Sequence, residues 1–299
     1  MKALAKYLNP AVISRVGAYS IDPKGIVEGG LAGAHKSPFH GFSVEFAGHR
    51  EYMPGDDPKH IDWNVYYKRD KYFCKQYEAE TNLISQIFLD ASESMRFQSA
   101  DQSKLDYAAY LAVSLTYLIT NARDSVGIGV FNDRIVDYLP ASNAMQTVYK
   151  ISDLIEKRPP AKKTAMGASM MDFAQRIGRR QLVVVISDCL LKTDELNDGL
   201  SRLRYDHHEL VLFHVMDPQE VDFDLKGMVK FIGMEDRGDI KLDAQRIKEA
   251  YKKKFREHQL KVMEVCEKNR CEYVPANTGN SLSELLMSYL SSRMTHINR

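Results

Sequence analysis

The chain has 299 residues, and its 41 lysines and arginines nearly balance its 40 aspartates and glutamates, for a formal net charge of +1. Hydrophobic residues make up 44% of the sequence and charged residues 27%, a globular composition that excludes disordered and low-complexity scaffolds. The near-neutral balance argues against a nucleic-acid-binding protein, because non-specific affinity for nucleic acid depends on neutralising phosphates.

The first 82 residues do not follow a regular pattern. They contain short β-like runs around residues 42–46 and 72–77, set among turns. We interpret residues 1–82 as an N-terminal accessory segment, β-rich and separate from the remainder of the chain.

From residue 83 onward, apolar strands alternate with amphipathic helices. The pattern predicts strands over 83–90, 125–131, 135–139, 181–188 and 209–216, and helices over 104–121, 147–157, 165–177, 194–205, 243–269 and 281–293. The unbroken β-branched run in 181–188 is typical of a parallel strand that is buried on both faces. Residues 83–299 are therefore predicted to be an α/β domain with a doubly wound, mostly parallel sheet flanked by helices.

One insertion interrupts this alternation. Residues 220–242 follow the strand that ends at Met216 and are predicted to hold a β-hairpin over 228–242. We expect this hairpin and the β-like runs of the N-terminal segment to form one accessory subdomain.

Cysteine usage and hydropathy bear on the compartment. The four cysteines show no C-x-x-C pairing and no secreted-framework spacing, which is typical of reduced thiols. No apolar run approaches the roughly 20 residues of a membrane span, and Lys6 interrupts the place where a signal peptide would need its apolar core. We expect a cytoplasmic protein without a membrane span.

Polar side chains follow two of the predicted buried strands. Asp90 ends the first strand and is followed by Ser92 and Ser94, Asp188 ends a later strand, and Thr164 precedes the helix that leads into that strand. Ligands of doubly wound sheets collect at the carboxyl ends of the strands. Two carboxylates and three hydroxyls are hard oxygen donors, which suit Mg²⁺ and also Mn²⁺.

A structural alternative stays open for each of these residues. Aspartate and serine after a strand often cap a turn or a helix by bonding to local backbone donors. Thr164 fits a helix N-cap, and Ser169 is then the other hydroxyl candidate on the same helix.

The segment from Arg50 to Trp63 carries a second group of candidate residues. Pro54 and Gly55 fit a turn, and Asp56 and Asp57 before Pro58 fit the cap of a short helical turn. A partly buried Arg50 would need one of the segment's aspartates as a partner. The segment is either a rigid brace between the accessory segment and the sheet or part of a surface that docks a partner protein.

The order of these motifs resembles a known superfamily. An Asp-x-Ser-x-Ser motif after the first core strand, a downstream threonine and an aspartate that ends a later strand are similar to the metal-ion-dependent adhesion site of von Willebrand factor type A domains. Within that superfamily, the chain resembles the bacterial domain-of-unknown-function family that is associated with MoxR-type AAA+ ATPases. The matching motifs span residues 41–251 and are Gly41-x-Ser43-x-Glu45-Phe46, Arg50-Glu51-Tyr52, Pro54-Gly55-Asp56-Asp57-Pro58, Ile61-Asp62-Trp63, Asp90-x-Ser92-x-Ser94-Met95, Ser187-Asp188 and Asp217-Pro218-x-Glu220.

The resemblance implies a Mg²⁺ site that binds an acidic side chain of a partner protein. The five site positions fall on Asp90, Ser92, Ser94, Thr164 and Asp188. The chain departs from the pattern before the threonine, where Lys162 and Lys163 replace a Gly-Gly pair and would weaken Mg²⁺ affinity unless their side chains point away. Glu93, Arg50, Asp56, Asp57 and Trp63 are the candidate partner-binding residues, with Glu93 placed to tune affinity at the metal.

The leading hypothesis is a non-catalytic, Mg²⁺-dependent protein-binding module, an adaptor that works with a MoxR-type AAA+ ATPase in the assembly or maturation of partner proteins. The sequence shows no paired nucleophile and base, which argues against an enzyme. Two alternatives stay open: a Mg²⁺-dependent phosphoester hydrolase that uses the same carboxylates, and a structural module whose metal site is empty.

Overall fold

The computed structural model describes most of the chain. The described residues are 7–17, 32–37, 44–53, 56–81, 83–99, 101–156, 166–231 and 240–297, together with Tyr19, Ile21 and Gly238.

Eleven strands and nine helices are described in these ranges. The strands are β1 Ala32–Ser37, β2 Val44–Glu51, β3 Phe73–Thr81, β4 Ile84–Asp90, β5 Ser125–Phe131, β6 Ile135–Ser142, β7 Leu182–Ser187, β8 Glu209–Met216, β9 Met228–Phe231, β10 Ile240–Asp243 and β11 Cys271–Asn277. The α-helices are α1 Pro10–Val16, α2 Trp63–Arg69, α3 Lys104–Asn121, α4 Gln146–Glu156, α5 Met166–Arg176, α6 Thr193–Tyr205, α7 Pro218–Asp222, α8 Ala244–Lys268 and α9 Leu282–Ile297. Two 3₁₀ turns lie at Pro58–His60 and Ser94–Arg96.

A six-stranded sheet forms the centre of the molecule. Its strand order is β11-β8-β7-β4-β5-β6, with every neighbouring pair parallel except β5 and β6. The fold is thus mixed α/β with a mostly parallel central sheet flanked by helices, as the alternation of strands and helices predicts.

Successive residues of the central strands face opposite sides of this sheet. In β7, Val184 and Ile186 join one apolar core with residues of α3, α4 and α9, whereas Val183 and Val185 join a second core with residues of α5, α6 and α8. All six residues of β7 are buried. Because helices cover both faces, the unbroken apolar run of this strand is buried on both sides, as the sequence predicts.

The accessory strands form two further sheets. β1, β3 and β2 pair antiparallel in a three-stranded sheet, and β9 pairs with β10 in a separate two-stranded hairpin. No strand of the hairpin pairs with a described strand of the N-terminal sheet, and the expectation that the two pieces form one accessory subdomain stays a prediction. The hairpin strands begin at Met228 and end at Asp243, close to the predicted 228–242, and the first residues of the insertion belong to helix α7.

The earliest described residues pack against the main domain. Tyr7, Val12 and Val16 are buried in the same apolar core as α3, and α1 contacts both α3 and α9. Asn9 caps α1 by accepting a hydrogen bond from the backbone of Ala11 at 2.9 Å. The domain boundary at residue 82 stays a prediction, but helix α1 shares the core of the α/β domain.

Candidate functional site

The carboxyl ends of β4 and β7 lie side by side at the centre of the sheet. The chain continues from β4 to its neighbour β5 on one side, while β7 continues to β8 on the other side. This reversal is the switch point at which open α/β sheets bind their ligands. Asp90 ends β4 and Asp188 follows the last residue of β7, so the sequence-predicted carboxylates meet there.

Asp90 is buried and bonded on both carboxylate oxygens. Its Oδ1 accepts a hydrogen bond from the Ser92 amide at 2.9 Å, and its Oδ2 accepts one from the Ser187 hydroxyl at 2.6 Å. The hydroxyls of Ser92 and Ser94 lie 3.0 Å apart and are also buried. The sequence-predicted Asp-x-Ser-x-Ser motif therefore gathers its oxygens in one place. We call Asp90, Ser92, Ser94 and Asp188 the carboxylate edge.

The pKa of Asp90 is raised to about 7. Burial is the main cause, and the nearby charge of Asp188 adds to it, while the hydrogen bonds from Ser187 and Ser92 act in the opposite direction. Two carboxylates at one buried place repel each other, and a cation beside them would relieve that repulsion.

Asp188 is held by a buried lysine that the sequence did not point to. The Lys104 ammonium lies 2.8 Å from Asp188 Oδ2 and 2.7 Å from Glu220 Oε1, and its side chain is 0% exposed. The other oxygen of Asp188 accepts a hydrogen bond from the Leu190 amide at 3.2 Å. We call this arrangement of Lys104 between Asp188 and Glu220 the ammonium bridge.

The ammonium bridge shifts the pKa values of its members in a consistent way. Burial alone lowers the pKa of Lys104, but the charges of Asp188 and Glu220 outweigh it and the pKa is raised. Burial raises the pKa of Glu220, against the opposing charge of Lys104. Lys104 is therefore a permanent positive charge beneath the carboxylate edge.

Neighbouring residues brace the bridge from the end of β8. Glu220 accepts a hydrogen bond from the Asp217 amide at 3.0 Å and completes a capping box at α7, and Asp217 in turn accepts hydrogen bonds from the amide and hydroxyl of Ser99. His214 lies with Nε2 2.9 Å from the carbonyl oxygen of Asp188, and burial lowers the pKa of this histidine to about 4. The loops after β4, β7 and β8 are thus tied together.

The other predicted ligands are less well placed. Thr164 lies outside the described residues, as do Lys162 and Lys163. Ser169 is buried on α5, and its hydroxyl has no hydrogen-bond partner among the described residues. Glu93 is half-buried between Ser92 and Ser94.

The donor set fits a hard cation only in part. Asp90 with the hydroxyls of Ser92 and Ser94 offers oxygens of the kind that Mg²⁺ prefers. Asp188 is already neutralised by Lys104. Within the described ranges, three or more His, Cys, Asp or Glu side chains nowhere come together as metal ligands.

The acids of the N-terminal motifs serve local structure. Arg50 pairs with Asp56 at 2.8 Å, one of the three partners that the sequence allowed, and Asp56 also accepts a hydrogen bond from the Met53 amide. Asp57 caps the 3₁₀ turn at Pro58–His60 through the Lys59 amide. Pro54 and Gly55 lie outside the described residues.

Helix α2 follows the 3₁₀ turn at Pro58–His60 and is capped by the next aspartate of the segment, Asp62. Asp62 caps α2 by accepting a hydrogen bond from the Asn64 amide, and its other oxygen lies 2.8 Å from His49 Nε2. The pKa of Asp62 is lowered, chiefly by this contact with His49. The three aspartates at positions 56, 57 and 62 therefore hold the turn, the cap and the helix in place.

Trp63 belongs to an exposed aromatic cluster. Its ring packs edge-on against Tyr66 and Tyr72, which stack on each other with centroids 4.6 Å apart, and Tyr52 packs edge-on against Tyr72. The Trp63 side chain is 55% exposed. We call Tyr52, Trp63, Tyr66 and Tyr72 the aromatic cluster; only its tryptophan was a sequence-predicted candidate.

Sequence reasoning missed Lys104 and Glu220, although signals for both were present. Lys104 is one, two and three helical turns from Ala108, Leu111 and Leu115, so the period of α3 places it on the buried face. Glu220 stands three residues after Asp217 in the spacing of a capping box. Neither signal reveals that the two side chains meet.

Comparison with known proteins identifies the family. Residues 48–261 match the model of the family described as protein of unknown function DUF58, and the chain belongs to that family. It is 26% identical over 217 residues to uncharacterized proteins of Mycobacterium tuberculosis and Mycobacterium bovis, an alignment that covers 72% of this chain and 68% of those proteins.

Two solved structures are similar in fold. The structure of the conserved hypothetical protein BatB from Bacteroides thetaiotaomicron is 18% identical, with a TM-score of 0.51 over 73% of this chain and 99% of that one. An aerotolerance-related membrane protein from Bacteroides fragilis is also 18% identical, with a TM-score of 0.49 over 71% of this chain and 100% of that one.

These comparisons correct the expected location. The cytoplasmic prediction is withdrawn, because one of these structures is of a protein that is itself named as a membrane protein. In the part of the chain that the structure describes, no helix is both long and apolar enough to cross a membrane.

Proposed function

We propose that the chain is a von Willebrand factor type A-like module that binds partner proteins through a metal-ion-dependent adhesion site and performs no catalysis. The observation that carries this proposal is the meeting of Asp90, Ser92, Ser94 and Asp188 at the switch point of the sheet. The match to the family of unknown function is compatible with this role, and it names no reaction.

In this proposal, each residue of the carboxylate edge has a stated role in binding the cation. Asp90, Ser92 and Ser94 hold the cation through oxygen atoms, and Asp188, whose charge Lys104 balances, stands next to them. Thr164, which lies outside the described residues, is the fifth ligand of the proposed set. Bound Mg²⁺, with Mn²⁺ as a substitute, supplies a positive charge that a partner's aspartate or glutamate completes. Glu93, between the two serines, tunes the approach of that side chain.

The proposed partner is a MoxR-type AAA+ ATPase, with this chain as its adaptor for the assembly or maturation of other proteins. The aromatic cluster supports a second contact, since exposed tryptophan and tyrosine are enriched where protein interfaces are strongest. Arg50, Asp56 and Asp57 would shape that surface from behind, because their side chains hold the turn that precedes Trp63.

The test measures binding of the purified chain to a MoxR-type AAA+ ATPase from the same genome by surface plasmon resonance. Asp90→Asn keeps the shape of the side chain and removes its charge, and we expect it to weaken binding at least about tenfold. Asp172→Asn is the matched control, because Asp172 lies on the exposed side of α5 in an ion pair with Arg176, and it should bind as the unmodified chain does.

The variant is more decisive than chelation, because a nucleotide-hydrolysing partner needs Mg²⁺ for its own chemistry. Unaltered binding by a folded Asp90→Asn chain would refute the proposal. Turnover of generic phosphoester substrates that disappears in Asp90→Asn would instead favour the hydrolase. Failure of the unmodified chain to bind the ATPase, together with a thermal melt that Mg²⁺ and Mn²⁺ leave unchanged, would favour a structural module with an empty site.

A further inference from the structure

The ammonium bridge lies directly behind the carboxylate edge. Lys104 is the first residue of α3, and Ser103 caps that helix by accepting a hydrogen bond from the Asp106 amide at 3.0 Å. The cap and the helix direct the lysine stem into the core, where its ammonium has 0% exposure. A lysine in such a place is kept charged only by its acidic partners.

Both partners of Lys104 are themselves fixed. Asp188 Oδ1 is engaged by the Leu190 amide, and Glu220 Oε2 is engaged by the Asp217 amide. The Phe97 ring lies 5.9 Å from the ammonium and covers it on another side. Movement of Lys104 away from Asp188 would leave buried charges unpaired, so the bridge is a stable feature of the chain without any ligand.

This arrangement bears on any cation at the carboxylate edge. Asp188 Oδ2 already carries a positive charge at 2.8 Å, and a divalent ion beside Asp90 would face the repulsion of that ammonium through a poorly screened interior. An edge with two unpaired carboxylates would attract the same ion far more strongly.

We propose that Lys104 is a built-in counter-ion that competes with divalent cations for Asp188 and so sets the affinity of the carboxylate edge for them. The inference rests on the proposed metal-dependent function and deepens it. The chain alone then holds Mg²⁺ weakly, and a partner's carboxylate is needed to retain the ion. Lys104 is a positioning residue in this scheme, because its ammonium is buried and acts through Asp188.

The experiment titrates Mg²⁺, and Mn²⁺ in parallel, into the full chain by isothermal titration calorimetry. The test variant is the double substitution Lys104→Met with Glu220→Gln, which removes the ammonium together with one of its two partners and leaves Asp188 unpaired at the edge. We expect the double variant to bind Mg²⁺ about a hundredfold more tightly than the unmodified chain, since one nearby positive charge has been removed. Asp90→Asn added to the double variant should abolish that gain.

Lys192→Met is the matched control. Lys192 stands four residues after Asp188 but is exposed to solvent, so removing its charge should change Mg²⁺ affinity by less than about twofold. Circular dichroism and thermal melts with and without Mg²⁺ report folding, and a melting temperature that rises with Mg²⁺ more in the double variant than in the unmodified chain supports the proposal by an independent readout.

The possible outcomes separate this inference from the function on which it rests. If the unmodified chain binds Mg²⁺ and the double variant binds it no more tightly, the role of Lys104 is overturned while the metal-dependent function stands. If no variant binds Mg²⁺ or Mn²⁺ even at millimolar concentration, both are overturned. Undetectable binding by the unmodified chain with tight binding by the double variant supports the counter-ion role.

Discussion

The carboxylate edge and the N-terminal accessory segment each contain an ion pair between a lysine and a carboxylate, but the first pair is buried and the second is exposed to solvent. At the edge, Lys104 and Asp188 form an ion pair whose side chains are 0% and 3% exposed. In the N-terminal accessory segment, Lys71 and Glu51 form an ion pair whose side chains are 68% and 62% exposed. The first pair is expensive to separate, and the second is screened by water and salt.

The same contrast applies to the aromatic and acidic residues of the segment. Asp56, Asp57 and Asp62 hold a turn and two helix starts, and the Trp63 ring that they position remains more than half exposed. The edge buries its charges at the switch point of the sheet, whereas the aspartates of the segment hold an exposed aromatic surface. Stability experiments should separate the two regions.

The largest expected effect is on the buried ion pair. Lys104→Met leaves Asp188 and Glu220 without a counter-charge, and we expect it to lower the free energy of unfolding by roughly 3–5 kcal/mol, measured by urea denaturation. Lys71→Met, the equivalent change at the exposed pair, should cost less than about 1 kcal/mol. Equal losses in the free energy of unfolding in the two variants would show that the buried pair stabilises the fold no more than the exposed pair does.

The next effect concerns pH. Burial lowers the pKa of His208 to about 4, and its Nδ1 accepts a hydrogen bond from the Gln181 amide at 3.2 Å, which requires the neutral ring. His208 takes up a proton below about pH 6.5 in the unfolded chain and only near pH 4 in the folded chain, so its contribution to stability, about 3 kcal/mol, is lost as pH falls through this window.

Chemical denaturation between pH 4 and 7 measures this loss. His208→Asn keeps an acceptor for the Gln181 amide and should reduce the loss of stability on acidification by the His208 contribution, while that of His214 remains. His207→Asn changes an exposed neighbour and should leave the curve as it is. A curve that keeps its slope in His208→Asn would assign the acid sensitivity to other groups.

A smaller effect is expected at the hydroxyl behind Asp90. Ser187 donates to Asp90 Oδ2 and accepts from the Cys189 amide, so Ser187→Ala removes two buried hydrogen bonds and should cost about 1–3 kcal/mol in urea denaturation. Ser142→Ala removes a long, solvent-exposed hydrogen bond from the Ala144 amide at the end of β6, and its cost should stay within about 0.5 kcal/mol.

The smallest effect on stability is expected at Trp63. Trp63→Ala should lower the free energy of unfolding by less than about 1 kcal/mol, because the ring is 55% exposed and packs edge-on against Tyr66 and Tyr72. The same variant should weaken partner binding at least about tenfold in surface plasmon resonance if the aromatic cluster is a docking surface. Tyr205→Ala, which removes a 74% exposed ring on α6, is the control and should do neither.

The sequence was sufficient for the elements whose signals are local. Strands β5 and β8 and helix α3 have the predicted bounds, because apolar alternation, apolar runs and helical periodicity all lie within each element. The prediction missed α1, α7, β1 and β11. β11 is an edge strand with partly exposed polar residues and a proline, and α7 is a single short turn.

The contacts of the candidate site also divide into those between residues that are close in sequence and those between residues that are far apart. Asp90, Ser92 and Ser94 stand in one loop, and their proximity follows from a spacing of two residues. The partners of Lys104 lie 84 and 116 residues away along the chain, so no local pattern could reveal the ammonium bridge.

The sequence by itself determined the α/β class, the order of most strands and helices, and the polar loop at the end of β4. Only the tertiary structure decided which charges are buried together and which rings remain exposed. The physical reason is that periodicity and capping depend on neighbours along the chain, whereas the cost of burying a charge depends on whether a distant side chain arrives to neutralise it.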